Sequence, residues 1–122
     1  MPDPNFILLY VDSPARSARF YQDLLGKPPV ETSPTFAMFA LEGFMLGLWS
    51  RHTVEPAASA PAGASEIAFT VADKEAVARI FAEWGARNLR IAQAPVDLDF
   101  GHTFVALDPD GHRLRVFAPP AA

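Results

Sequence analysis

Apolar residues run without interruption through FILLYV at positions 6–11, and the β-branched and aromatic content of that run predicts a strand. The period then changes. Ser13 is a good helix cap and Pro14 a good first helical residue, and Ala18, Tyr21, Leu24 and Leu25 fall on one helical face. Gly26, followed by Lys27-Pro28-Pro29, stops that helix. Residues 35–41 (TFAMFAL) and 44–50 (FMLGLWS) predict two short strands joined by a two-residue loop, Glu42-Gly43. Ala, Pro, Ser and Gly dominate residues 51–64, where no apolar periodicity survives; this predicts a linker or an exposed loop. The plan restarts at 66–71 (EIAFTV), a strand. Asp73 then caps a helix with Val77, Ile80, Phe81 and Trp84 on one face, ended at Gly85. Residues 103–107 and 112–118 form a final hairpin around the turn Asp108-Pro109-Asp110-Gly111. In its last strand Leu114 and Val116 face one way, and Arg113, Arg115 and Phe117 the other.

The two halves overlay. Val11 falls on Val71, Arg19 on Arg79 and Phe20-Tyr21 on Ile80-Phe81, while Leu25-Gly26 falls on Trp84-Gly85 with a one-residue gap. The hairpin residues Phe39-Ala40-Leu41 match Val105-Ala106-Leu107. A repeated β-α-β-β(β) unit of about sixty residues follows. Each unit has one helix, which covers one face of its small sheet. The opposite face must meet the other unit, a partner chain or a ligand.

Composition narrows the function classes. With 122 residues, half of them apolar, the chain suits a single domain with a real core. The net charge of −4 and the lack of a basic stripe argue against nucleic acid as the main partner. Cysteine is absent, which excludes disulfides and thiolate chemistry. The start, MPDPNF, has no basic n-region and no long apolar run, so no signal peptide is expected, and no apolar run approaches a membrane span. A soluble cytoplasmic protein is expected. No nucleophile elbow and no Gly-rich phosphate loop stands out.

Three stretches together resemble a known superfamily. They are V-x₅-S-x₂-FY-x₃-LG (Val11, Ser17, Phe20, Tyr21, Leu25, Gly26), EIAFTVAD at 66–73 and LDPDGHRLRVF at 107–117. The resemblance is to the vicinal-oxygen-chelate group: glyoxalase I, extradiol dioxygenases, fosfomycin-resistance enzymes and the bleomycin-resistance proteins. It implies an α+β fold of two βαβββ modules, forming curved mixed sheets around a cavity. Module one would span about 5–50, with a linker over 51–64 and module two over about 65–118, in a single domain 1–122. It also implies a homodimer.

Enzymatic members of that group mostly hold a divalent metal on the first, fourth, fifth and eighth strands. Carried over, those positions here read Phe6, Gly47, Glu66 and Arg115. Phe6 has no donor atom, Gly47 no side chain, and Arg115 carries a fixed positive charge. A catalytic divalent ion wants three or more protein ligands, and this set offers one. The expectation is therefore no metal and no cofactor. Glu66 and Arg115 are expected either to pair across the vacated positions, or to be solvated, or to leave Arg115 free for an anionic ligand.

The face shared with Phe6 includes Tyr10, and Phe36, Met38 and Trp49 lie on the neighbouring strands, giving an aromatic, apolar wall with Thr70, Glu66, Arg113 and Arg115 as polar points. That profile suits a small-molecule pocket. Trp49 is the first choice for stacking, against the alternative of a core or interface residue; Trp84, Phe20 and Tyr21 are expected to pack. His102, in FGHTF, is the best candidate for a polar ligand contact or an acid–base group, against a loop-anchoring role. The function expected is metal-free binding of an aromatic or amphipathic antibiotic-like ligand, as in the bleomycin-resistance branch. A second reading is a lyase, isomerase or dioxygenase using an unusual metal site, or metal-free acid–base chemistry through His102, Glu66 or Tyr10. A third is an interaction module with a side-chain-filled interior.

Overall fold

Ser13 caps the first helix as its position predicts: its Oγ accepts a hydrogen bond from the Arg16 amide at 3.2 Å, with Pro14 opening the helix. At the other end Gly26 takes a left-handed conformation (φ 71°) and returns its N–H to the Gln22 carbonyl, which closes helix α1 (Pro14–Leu25). In this computed structural model, which describes residue 1 and residues 3–120, the chain divides into two units, Met1–Ala62 and Gly63–Ala122.

The first unit contains β1 (Phe6–Val11), α1, β2 (Glu31–Thr32), β3 (Phe36–Leu41) and β4 (Phe44–Ser50). Its sheet has the order β1-β4-β3-β2, with β1 parallel to β4 and the remaining pairs antiparallel. Alternation sorts the side chains. Leu9, Val11, Ala37, Phe39, Leu46 and Leu48 are buried, and Ala18 and Tyr21 of α1 are buried with them.

The second unit repeats the plan with β5 (Glu66–Thr70), α2 (Lys74–Ala86), β6 (Arg90–Leu98), β7 (Gly101–Leu107) and β8 (Arg113–Ala118), in the order β5-β8-β7-β6. Again the first strand is parallel to the last, and the other pairs are antiparallel. The core is Val77 and Trp84 from α2 with Phe104, Ala106, Leu114 and Val116 from the sheet. Trp84 meets Phe69 and Phe104 edge-on at ring separations of 5.8 and 5.4 Å. The α+β fold of two βαβββ-like units is thus present, each with an open mixed sheet and one helix. Among the described residues no helix is long and apolar enough to cross a membrane.

Several local expectations need correction. Gly85 does not end α2; the helix runs to Ala86, and Asn88 supplies the left-handed residue (φ 63°), a conformation that Asn tolerates. β2 and β6 carry too little apolar alternation to announce themselves. β6 is exposed at eight of its nine positions and breaks register between Gln93 and Val96, around Pro95. The loop over 51–64 is not wholly exposed, since Val54 is buried. The hairpin overlay slips by one residue. Phe39 packs with the buried set, whereas Val105 pairs with Arg115 on the opposite face from Phe104. The equivalent of Phe39 therefore lies on the Phe104 side, because one residue of slip exchanges the faces of a strand.

Gly101 gives the fold a testable joint. Its φ is +146°, and an added Cβ would collide with the Ala118 carbonyl oxygen of the adjoining strand. Gly101→Ala is expected to destabilise the protein by about 3 kcal/mol in urea denaturation. Gly85→Ala, in a helix with open space around the added methyl, is expected to raise stability by about 0.5 kcal/mol.

Candidate functional site

Each sheet presents a second face, away from its buried set. In the first unit that face carries Phe6, Leu8 and Tyr10 of β1, Met45, Gly47 and Trp49 of β4, and Phe36 and Met38 of β3. Phe6, Leu8 and Tyr10 are 43, 43 and 40% exposed, so a row of large apolar and aromatic side chains faces outward. Phe36 and Trp49 meet edge to face at 6.1 Å. Gly47 sits as a notch in the middle. A Cβ there would lie 2.6 Å from Leu8 Cδ2 and 3.0 Å from both Phe36 Cζ and Phe6 Cε1. The structure therefore brings together the five residues expected here: Phe6, Tyr10, Phe36, Met38 and Trp49.

In the second unit the corresponding face carries Glu66, Ala68 and Thr70 of β5 with Arg113, Arg115 and Phe117 of β8. Arg115 and Glu66 pair through two hydrogen bonds, Nε to Oε2 at 2.9 Å and Nη2 to Oε1 at 3.3 Å. Nη1 reaches Thr103 Oγ1 at 3.2 Å, and the Thr103 hydroxyl in turn donates to the Val116 carbonyl at 2.9 Å. Thr103 is fully buried, so this chain ties the guanidinium to the interior of the sheet. Of the alternatives for Glu66 and Arg115, the pair is the one formed. Arg113 is on the same face and exposed.

Sequence reasoning missed Phe100. It lies in the tight turn between β6 and β7, and its ring centroid stands 5.3 Å from Arg115 Cζ, within cation–π range. Its other contact is an edge-to-face approach to Phe117 at 5.7 Å. The available signal was an aromatic residue in an otherwise polar turn, DLDFG.

His102 is placed apart from Glu66 and Arg115. It points to the Phe104 side of β7, the opposite face of the sheet, because it is one residue out of phase with Thr103. There its Nδ1 lies 2.8 Å from Asp97 Oδ1, and Lys74 Nζ stands 3.5 Å from the same oxygen. An ionised carboxylate only accepts, so Nδ1 carries the hydrogen. The hydrogen bond from His102, with Lys74 nearby, holds the Asp97 carboxyl below its usual range. A cavity of about 570 Å³ is lined by these three residues with Leu98, Ala118 and Pro119. His112 is buried beside the Asp108 turn, with Nδ1 2.7 Å from Ser65 Oγ, a contact that anchors the turn to the start of β5.

The donor set does not fit a metal. In the first unit the two positions are a phenylalanine and a glycine, and the glycine's Cβ direction is filled by apolar side chains. Of the two positions in the second unit, the carboxylate Glu66 is already paired with the guanidinium of the other, Arg115. Among the described residues no group of three or more His, Cys, Asp or Glu side chains is placed to hold an ion.

The profile of the Glyoxalase/Bleomycin resistance protein/Dioxygenase superfamily matches residues 4–116. The chain belongs to this superfamily. Within the superfamily it is 36% identical over 117 residues to the phenazine antibiotic resistance protein EhpR of Enterobacter agglomerans, covering 93% of this chain and 89% of that protein. Among solved structures it is similar to protein ATC0852 from Agrobacterium tumefaciens, at 51% identity and a TM-score of 0.87, covering 99% of this chain and all of that one. A glyoxalase-related enzyme from Fulvimarina pelagi has the same fold, with a TM-score of 0.84 at 23% identity over 98% of this chain and 90% of that one.

Two outcomes test this geometry. Arg115→Glu sets a second carboxylate beside Glu66 and leaves the Thr103 hydroxyl oxygen without its donor. Since Glu66 is over a third exposed, solvent screening limits the loss of stability to about 2 kcal/mol, read by urea denaturation. The Asp97 contact is read by acid titration. Its lowered pKa means that the contact contributes stability above the ordinary carboxylate range and loses it as pH falls through the depressed value. Carboxyl NMR of His102→Phe is expected to show the Asp97 midpoint moving upward.

Proposed function

We propose that this protein binds a planar aromatic, antibiotic-like small molecule without a metal and without making or breaking a bond. The observation that carries the reading is the occupation of the vacated metal positions by a bidentate Arg115–Glu66 pair. A guanidinium there offers hydrogen bonds and a flat cationic surface but no Lewis acid. Taken by itself, the outward aromatic row of the first unit is an apolar surface suited to a flat ring system. Support also comes from the similarity to EhpR, whose name records resistance to a phenazine antibiotic. Resistance by sequestration needs only affinity, so the binding surface needs no acid, base or nucleophile. A homodimer in the cytoplasm belongs to the same proposal.

One observation favours a second reading. His102, oriented by Asp97 and lining a cavity, has the arrangement of an acid–base group. It would act on the other face of the second sheet, and a product detected on prolonged incubation with a bound ligand would separate this reading from sequestration.

Phenazine titrated into the protein is expected to quench Trp49, partly exposed on the aromatic row, and to spare Trp84, 7% exposed. Trp49→Phe removes most of the response. Dialysis against EDTA is expected to change the affinity by less than about twofold. Loss of binding in EDTA, restored by one divalent ion, overturns the metal-free reading.

A further inference from the structure

One row of residues across the second sheet leaves a charge unmatched. Glu66, Arg113, Leu107 and Arg90 are register partners in turn along β5, β8, β7 and β6. Register partners on neighbouring strands share a face. The row therefore lies on the face that carries Arg115, away from the buried set. The charged strand residues on that face are one acid, Glu66, and three arginines, Arg90, Arg113 and Arg115. The face is net positive in a chain whose formal net charge is −4.

The three arginines are not equivalent. Glu66 is the register partner of Arg113, yet it gives both carboxylate oxygens to Arg115, the next residue of β8 on the same face. Arg115 is the better sheltered of the two, with 15% of its side chain open and Thr103 accepting from its Nη1. Arg90 sends Nη2 to the Asp108 carbonyl at 2.8 Å. Arg113 is exposed, and among the described residues its guanidinium has no hydrogen bond, ion pair or ring contact. Glu66 cannot turn to it without giving up the two-bond pair with Arg115. The charge of Arg113 is thus left for an approaching molecule.

A guanidinium with all five N–H groups uncommitted receives a carboxylate through two parallel hydrogen bonds. Leu107, its register partner on the other side, is uncharged and offers apolar surface beside that contact. An exposed ion pair gains little in water, so such a contact selects among ligands and leaves most of the affinity to apolar burial.

We propose that Arg113 is an anion-recognition residue that favours aromatic ligands bearing a carboxylate over their neutral counterparts. This rests on the ligand-binding reading above and adds the charge of the ligand. Glu66 acts indirectly: by pairing with Arg115 it leaves Arg113 available.

The test compares phenazine-1-carboxylate with phenazine, each titrated into the full chain at fixed ionic strength and followed by tryptophan fluorescence and amide NMR shifts. The unsubstituted protein is expected to bind the carboxylate about fivefold more tightly. Arg113→Gln keeps a polar side chain but removes the charge, and is expected to bring the ratio of the two affinities to about one. Arg113→Lys restores the charge without the planar fork and is expected to keep a ratio of about two. Amide spectra of each variant confirm that the fold is retained. If both probes bind but the unsubstituted protein shows no preference for the carboxylate, or Arg113→Gln leaves the preference intact, this proposal is overturned and the ligand-binding reading stands. If neither probe binds the unsubstituted protein, both fall together.

Discussion

One helix covers one face of a four-stranded sheet, and it cannot cover both. Everything distinctive about this chain follows from how the second face is furnished. Strand alternation commits Leu9, Phe39 and Leu46 in the first unit, and Phe104, Leu114 and Val116 in the second, to the buried set. The intervening residues are then left on the other face whatever they are. In the first unit they are aromatic and aliphatic; in the second they include two arginines and a glutamate. The same backbone plan thus yields an apolar wall once and a polar cluster once.

The polar cluster is organised from beneath. Thr103 is buried and spends its hydroxyl hydrogen on the Val116 carbonyl, so its lone pair is what Arg115 finds. Glu66 fixes the side of the guanidinium, and Phe100 lies over it. Four residues from β5, β7, β8 and the β6–β7 turn therefore hold one cation in a single orientation. A divalent ion at an equivalent place would need several protein ligands converging on one point. Here the cation is covalently part of the chain, and one carboxylate is enough to balance it.

Much of this was legible in the sequence, for reasons that also explain what was not. Strong period changes at Asp12-Ser13-Pro14 and Asp73 marked both helices, and the alternation in RLRVFA correctly divided Leu114 and Val116 from Arg115 and Phe117. The family's pattern names Glu66 and Arg115 together but leaves their pairing as one of three alternatives; only the adjacency of β5 and β8 decides it. Elements that lack a buried side left no such trace: β6 is nearly all exposed, and its bulge breaks the count. The bulge and the longer β7–β8 turn also defeat alignment by residue identity, which is how Val105 came to be matched with Phe39. His102 stands out in sequence as a polar candidate, but only its register opposite Ala118 shows that it lies on the other face from Arg115. Phe100 lay in a turn, where periodicity says nothing about direction.

The notch at Gly47 bears on how such a protein can change. Leu8, Phe36 and Phe6 converge on the space that a side chain at that position would need. A side chain there must first move the outer atoms of these three residues aside, and an acidic residue at 115 would face Glu66 as a like charge. A change at Gly47 is therefore passed at once to three apolar side chains on β1 and β3, and the packing of the aromatic row depends on a residue that has no side chain of its own.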